Sequence, residues 1–177
     1  MEAMENILTR RSVRVYKDQP VSRETLDTVL AAAQMAPTWK NTQTPGYIVI
    51  TSPEKKAELM EALPAYNARN VSTAPVVVVM TTKKKRCAYE RDGSFTTKKE
   101  DRWEMFDAGI ACQTLCLAAW AQGLGTCIMG IYDEEKVPAL LEVPEDQYVT
   151  AIVSMGYPAE TPKAPKRKPL EEKVRYV

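Results

Sequence analysis

The chain has 177 residues, of which 24 are basic and 23 acidic, with four cysteines and no histidine. This length is typical of one domain, and a hydrophobic fraction of 45% is enough to form its core. Because histidine is absent, a Ser-His-Asp triad, a Cys-His nucleophile and a histidine-containing zinc site are all excluded.

The formal net charge of +1 hides three basic segments. Residues 1–23 carry five basic and three acidic groups, residues 83–104 carry eight and five, and residues 160–177 carry six and three. The remainder of the chain is therefore acidic. Basic segments on a nearly neutral protein favour a local anion-binding site.

The N-terminal region lacks an apolar run of signal-peptide length, and its acidic Glu2 and Glu5 are untypical of a transit peptide. The longest apolar stretch, 106–124, is interrupted by polar residues and glycines, which predicts a buried helix rather than a membrane span. The cysteines form no CxxC pair, so we interpret them as reduced core thiols and expect no metal site. These patterns indicate a cytoplasmic protein.

The first half of the chain contains both helical and extended patterns. Apolar residues recur at helical spacing behind Ser22, and Ser52-Pro53 combines an N-cap with a proline in the first turn. Runs of β-branched residues are typical of strands. In chain order we predict a helical start at 6–11, an extended stretch at 13–16, a helix at 22–37, a strand at 47–50, a helix at 53–63 and a strand at 75–80.

The second half begins with segment 83–104, which is charged and aromatic without regular periodicity, and we predict a loop or lid with some helix there. After it we predict a central helix at 103–122 capped by Gly123, a strand at 126–129, a helix at 133–141 kinked at Pro138, and a strand at 148–155. Prolines in 161–177 indicate an extended arm, which a partner subunit could hold. The pattern predicts an α+β fold with about four strands.

Three basic runs are candidate anion sites. Arg10-Arg11-Ser12-Val13-Arg14 offers three guanidiniums and a hydroxyl, chemistry that suits a phosphate. Lys166-Arg167-Lys168 and the run 83–86 offer similar donors. Each run could equally be a solvated surface, and 83–86 could contact nucleic acid, although no interleaved aromatic residues or binding module support that interpretation.

The glycines of 123–130 have neither the spacing nor the context of a Rossmann or P-loop motif, so this segment is first a helix-to-strand turn. Gly130 at the end of the predicted strand would let a backbone N–H approach a ligand closely. Trp39 stands in the polar loop 38–44, where its ring could stack on a planar ligand or pack at an interface.

Taken in order, these segments resemble the nitroreductase family of flavin mononucleotide (FMN) enzymes. Six blocks carry the resemblance: 10–14, 36–43, 107–109, 123–130, 155–158 and 166–171. The family implies an α+β fold with a small, mostly antiparallel sheet flanked by helices. It also implies an intertwined homodimer with a swapped C-terminal arm. We therefore expect one FMN-binding domain over 1–177, with 83–104 as a lid insertion and 161–177 as the arm.

The resemblance also implies residue roles at an FMN site on the subunit interface. Phosphate and ribityl oxygens would be bound by Arg10, Ser12 and Arg167, and the ribityl and pyrimidine edge by Arg11 and Arg14. The isoalloxazine would lie against Ile128, Met129 and Gly130, with the Gly130 N–H near N5. The other subunit would contribute Pro37, Thr38, Trp39 and Asn41.

The implied activity passes electrons from NAD(P)H through flavin N5 to a planar, electron-poor nitroaromatic or quinone in a ping-pong cycle. No side chain need act as acid or base, because the cofactor carries the reaction. Two alternatives stay open: other flavin chemistry on this fold, such as reductive dehalogenation, and a flavin-binding redox partner or sensor with little turnover. We expect no nucleic-acid or membrane partner.

The sequence departs from the family pattern in two places. Thr44-Pro45 follows Gln43 where the family usually has proline and an aromatic residue. Segment 83–104 matches no lid that we can assign, and the lid is where such enzymes select substrates. The candidate substrate contacts there are Tyr89, Arg91, Phe95 and Trp103, of which Arg91 could pair with a carboxylate.

Overall fold

The computed structural model describes residues 1–177 and contains six α-helices and four β-strands. The helices are α1 (Ala3–Thr9), α2 (Arg23–Gln34), α3 (Pro53–Met60), α4 (Ala65–Ser72), α5 (Arg102–Ala121) and α6 (Lys136–Leu140). The strands are β1 (Pro45–Ile50), β2 (Val76–Lys83), β3 (Gly125–Met129) and β4 (Gln147–Gly156). The predicted α+β class is confirmed.

The strands form one sheet in the order β1-β2-β4-β3, and every pairing is antiparallel. The two central strands are β2 and β4, with Val78 opposite Val153. The register shifts between Met80 and Thr81, where Thr150 of β4 is an extra residue that forms a β-bulge in that strand. Because β3 lies at an edge, one side of its backbone is available to a neighbouring segment.

Helices cover both faces of the sheet. The strand β2 is buried on both sides, so its successive residues alternate between two cores: Val78 packs with α2 and α5, whereas Val77 and Val79 pack with the α3, α4 and α6 side. The central helix α5 supplies eight buried residues and therefore fixes the first core. This three-layer arrangement leaves the ends of β2 and β3 beside the loops around α5.

Four helix ends are capped by nearby residues. The Ser22 and Ser52 hydroxyls accept from the N–H groups of Thr25 (3.1 Å) and Lys55 (3.2 Å). Gly123 follows α5 with φ of 76°, a conformation that favours glycine. The Asp133 carboxylate accepts from the Lys136 N–H at 2.9 Å and so caps the start of α6.

Three details of the predicted elements were wrong. Helix α4 was missed, and α3 ends at Met60 because the chain tightens into turns before Pro64. Helix α6 begins at Lys136, so Pro138 falls in its first turn, where a missing N–H costs no helical hydrogen bond, instead of kinking it. The loop with some helix that was predicted for 83–104 agrees with the structure, in which turns and a Tyr89–Phe95 bridge precede the start of α5 at Arg102.

The two chain ends differ in how they meet the rest of the molecule. Helix α1 packs on α5, where the Asn6 amide donates to the Leu117 carbonyl at 3.0 Å. Residues 163–177 are exposed, and the backbone hydrogen bonds within them are local. No helix has both the length and the apolar character needed to cross a bilayer.

Candidate functional site

The arginine segment 10–14 lies along the free edge of β3. Ser12 forms a parallel bridge with Thr126, and the Val13 N–H donates to the Thr126 carbonyl at 2.9 Å. Gly125 allows this approach, because a Cβ there would lie 2.5 Å from a Val13 methyl carbon. The structure therefore brings the first basic segment to the strand that ends at Gly130.

Tyr16 locks this segment to the sheet. Its ring is 4% exposed, its hydroxyl donates to the Val13 carbonyl at 2.6 Å, and the Ser154 hydroxyl lies 2.8 Å away. Burial raises the pKa of the Tyr16 phenol, so the hydroxyl remains a neutral donor. Sequence reasoning treated Tyr16 only as part of an extended stretch and missed this role.

The guanidiniums of the segment are not in ion pairs. No carboxylate lies within 4.0 Å of a charged nitrogen of Arg10, Arg11 or Arg14. The Glu160 carboxylate accepts from the backbone N–H of Arg14 (3.0 Å) and not from its side chain. Three cations without a protein counterion leave this part of the surface suited to an anion.

The end of β3 offers an apolar surface next to those cations. Ile128 is 48% exposed, and nothing lies within 4 Å of where a Gly130 Cβ would be. The buried Asn67 amide donates to the Ile131 carbonyl at 2.8 Å, which fixes the backbone beside Gly130. An apolar strand end beside unpaired guanidiniums fits a ligand with a planar ring and a phosphate tail, as FMN has.

The loop that contains Trp39, residues 37–43, packs away from segment 10–14. The backbone N–H of Trp39 donates to Asp107 at 2.8 Å, and the centroid of the Trp39 ring lies 4.6 Å from that of Trp103. Asn41 is exposed with φ of 55°, and the Thr38 hydroxyl accepts from the Gln43 N–H at 3.0 Å. None of these contacts reaches segment 10–14, so within one chain the loop and the arginines are not joined.

The candidate substrate residues fall into two aromatic groups. The Tyr89 and Phe95 ring centroids are 4.8 Å apart. The Trp103 ring is tilted by 50° against the Trp39 ring, and its centroid lies 5.2 Å from that of Phe106. Arg91 is exposed and forms no ion pair. The structure thus places Trp103 with the Trp39 loop rather than with Tyr89 and Phe95.

Two buried carboxylates on α5 were missed as functional candidates. Glu104 accepts from the Lys85 N–H at 2.7 Å and from the Tyr148 hydroxyl at 3.2 Å, and Asp107 accepts from Trp39. Burial raises the pKa of the Glu104 carboxyl, although both donors oppose that shift. The sequence signal for these two residues is their spacing of three positions on a largely apolar helix. This spacing places both carboxyls on one face of the helix.

One predicted phosphate ligand is not brought to the site. Arg167 lies in the exposed tail, away from the hydrogen-bonded body of its own chain. Large apolar side chains are also exposed on α1, on α5, in β3 and after it: Met4, Ile7, Leu8, Met105, Phe106, Ile128 and Ile131.

A small antiparallel sheet flanked by helices is the fold that the sequence resemblance implied. The profile of the nitroreductase family matches residues 7–65 and 61–157. The chain belongs to the nitroreductase family.

Two relatives illustrate the range of the similarity. FMN reductase (NADPH) of Bacillus subtilis is 32% identical over 177 residues, which cover 93% of this chain and 70% of the relative. NADH dehydrogenase of Thermus thermophilus is 29% identical over an alignment of 197 residues, which covers 98% of this chain and 95% of the relative. The chain is therefore similar to these oxidoreductases over nearly its whole length.

Solved structures agree with the fold. FMN-dependent nitroreductase of Clostridium difficile R20291 is 29% identical, covers 98% of both chains and has a TM-score of 0.79. A protein of Exiguobacterium sibiricum, solved in complex with FMN, is 23% identical with a TM-score of 0.85, and covers 100% of this chain and 98% of that one.

Proposed function

We propose that the protein is an FMN-dependent oxidoreductase that takes electrons from NAD(P)H and passes them to a planar, electron-poor acceptor. The observation that carries the proposal is the pairing of Arg10, Arg11 and Arg14, free of counterions, with the open apolar end of β3. The FMN and NAD(P)H named for the relatives support it.

In this proposal, bound FMN supplies hydride acceptance and donation at its N5 atom. The chain would supply position and charge: Arg10 and Ser12 would bind the phosphate end, and Arg11 and Arg14 would place positive charge along the ribityl and pyrimidine edge. The backbone N–H of Gly130 would lie near N5, and the exposed Ile128 side chain would lie against the ring. The expected contact of the Met129 side chain is not supported, because that side chain is 3% exposed and packs in the second core. A cation near the pyrimidine favours the negative charge that develops on reduction.

A homodimer completes the site. The exposed apolar residues of α5 and α1 form the subunit interface, and the arm 161–177 crosses to the partner, where Arg167 joins the phosphate ligands. The loop that contains Pro37, Thr38, Trp39 and Asn41 reaches the flavin of the other subunit. The absence of contact between this loop and segment 10–14 within one chain supports an arrangement of this kind.

The acceptor is proposed to be a nitroaromatic or a quinone, held beside the aromatic residues of segment 83–104. Steady-state NAD(P)H oxidation should be accelerated by such an acceptor, whereas a redox partner or sensor would show no turnover. Stopped-flow reoxidation of the reduced protein by a quinone, a nitroarene and a halophenol separates the acceptor classes. Fastest reoxidation by the halophenol would contradict the proposed acceptor and favour dehalogenation.

The phosphate assignment is tested by paired removal of a cation. Arg167→Ala should weaken FMN retention by about tenfold or more, because a charged hydrogen bond to phosphate is lost. Lys85→Ala removes an exposed cation from the basic segment 83–104 and is the matched control. Equal retention of FMN by the two variants, measured by equilibrium dialysis, would argue against Arg167 as a phosphate ligand.

A further inference from the structure

Two segments of the candidate site meet at a single buried oxygen atom. Asp107 is 2% exposed. Its Oδ2 accepts from the backbone N–H of Trp39 at 2.8 Å and from the Cys87 thiol at 3.2 Å. No lysine or arginine nitrogen lies within 4.0 Å of this carboxylate. These two donors therefore offset the cost of burying its charge.

The two donors come from different parts of the chain. Trp39 belongs to the loop that is proposed to reach the flavin, and Cys87 lies at the base of segment 83–104. Lys40 and Asn41 have φ of 45° and 55°, and Ala88, next to Cys87, has φ of 65°. Such left-handed residues cost energy and persist only where surrounding contacts hold them. The shared oxygen of Asp107 is one of those contacts on both sides.

The chemistry of Cys87 is suited to this role. Burial, and then the hydrogen bond to Asp107, raise the pKa of the Cys87 thiol to about 12. The thiol consequently keeps its proton and remains a donor to the carboxylate throughout the neutral range. A second link joins the same two segments at the surface, where Lys40 Nζ lies 3.5 Å from Glu90 Oε1.

We propose that Asp107 is a positioning residue. It couples the loop that contains Trp39, which is proposed to reach the flavin, to segment 83–104. The inference rests on the proposed function, since it requires Trp39 to respond to FMN. Because both donors share one oxygen, a shift of the Trp39 loop on FMN binding changes the contact that holds Cys87. Occupancy of the flavin site is thereby transmitted to the segment that selects the acceptor. Asp107 itself contacts neither flavin nor acceptor.

The test measures FMN affinity by fluorescence quenching, and the rate of tryptic cleavage within 83–104, which contains eight lysines and arginines. In the wild-type protein, saturating FMN should slow this cleavage. Asp107→Ala should weaken FMN binding about 10- to 100-fold, as expected for loss of a hydrogen bond to a buried charge, and should abolish the FMN effect on cleavage. Asp107→Asn keeps an acceptor for Trp39 and should recover most of the affinity.

Two further variants separate coupling from general destabilisation. Cys87→Ala leaves the Trp39 contact in place, so FMN affinity should stay within about threefold of wild type while cleavage stops responding to FMN. Asp27→Ala removes an exposed carboxylate on α2 and should change neither readout. Circular dichroism of each variant checks that it is folded.

The outcomes distinguish the inference from the proposed function. If Asp107→Ala and Cys87→Ala bind FMN, and FMN still slows tryptic cleavage of their segment 83–104, the proposed coupling is wrong while the proposed function stands. If Asp107→Ala does not fold, Cys87→Ala decides: cleavage that still slows on FMN binding in this variant would show that the coupling is wrong. Wild-type protein that binds no FMN would overturn both.

Discussion

Single side chains hold the arginine segment at the edge of β3, and Tyr16 is the clearest of them. Its hydroxyl satisfies the Val13 carbonyl inside the protein, one residue away from Ser12 and Arg14. The geometry of the proposed phosphate site consequently depends on a residue that never touches the phosphate. Its effect should be visible in both stability and flavin affinity.

We expect Tyr16→Phe to lower the free energy of unfolding by about 1–3 kcal/mol, because the Val13 carbonyl is left buried without its donor. FMN affinity should fall as well, since the arginine segment is less well held. Urea unfolding and FMN titration measure the two effects. Tyr66→Phe on the exposed surface of α4 is the control, and equal stability of the two variants would contradict the role of Tyr16.

Glu104 gives a pH-dependent prediction. Burial raises the pKa of the Glu104 carboxyl in the folded state, so its contribution to stability is fully present at a pH below its ordinary pKa of 4.5. This contribution is lost as pH rises through the raised pKa of the folded state. Glu104→Gln is neutral at every pH and keeps an acceptor for the Lys85 N–H. The variant should therefore gain stability relative to wild type as pH rises above 4.5.

Urea unfolding at several pH values measures this difference for Glu104→Gln. Glu61→Gln replaces an exposed carboxylate at the end of α3 and provides the baseline. A stability difference between Glu104→Gln and wild type that shrinks as pH rises would show that the ionised carboxylate is stabilised in the folded protein.

At the scale of elements, the C-terminal arm is proposed to act on a partner rather than on its own chain. Truncation after Glu160 should leave the circular dichroism of the body nearly unchanged, because the arm makes only local backbone hydrogen bonds from residue 163 onward. FMN affinity should fall at least about tenfold, because Arg167 is removed. Truncation after Arg175 is the matched control, and full FMN affinity in the longer deletion would contradict the proposed arm.

Most elements could be predicted because their signals are local. Serine caps, β-branched runs and the long apolar run of α5 are each local in sequence, and each indicates its element without long-range contacts. Helix α4 could not, since Pro64, which precedes it, indicates the end of a helix equally well. Two of its asparagines are also buried by contacts beyond its own sequence. The same reason hid Asp107, whose donors lie 68 and 20 residues away.

The candidate site was only partly predictable for a related reason. The meeting of 10–14 with β3 follows from pairing that the sequence does not encode locally. The structure of one chain also leaves Arg167 and the Trp39 loop away from these residues, so their roles depend on a partner subunit. The resemblance supplied those roles; composition and spacing did not.

For the whole molecule, the distribution of charge matters more than its sum. The basic residues near the N-terminus gather at the edge of the sheet, and those of the tail are proposed to join them from the partner. The third basic segment, 83–104, holds the aromatic residues proposed for the acceptor. The absence of histidine is compatible with this chemistry, because the cofactor rather than a side chain carries it.

The proposed function requires that this chain binds FMN and that NAD(P)H reduces the bound flavin. Both steps are measured together by absorbance in an anaerobic titration of the purified protein reconstituted with FMN. We predict a yellow protein whose flavin band bleaches on addition of about one equivalent of NAD(P)H per bound flavin. A colourless protein with no affinity for added FMN, or a bound flavin that NADH and NADPH both leave oxidised, would contradict it.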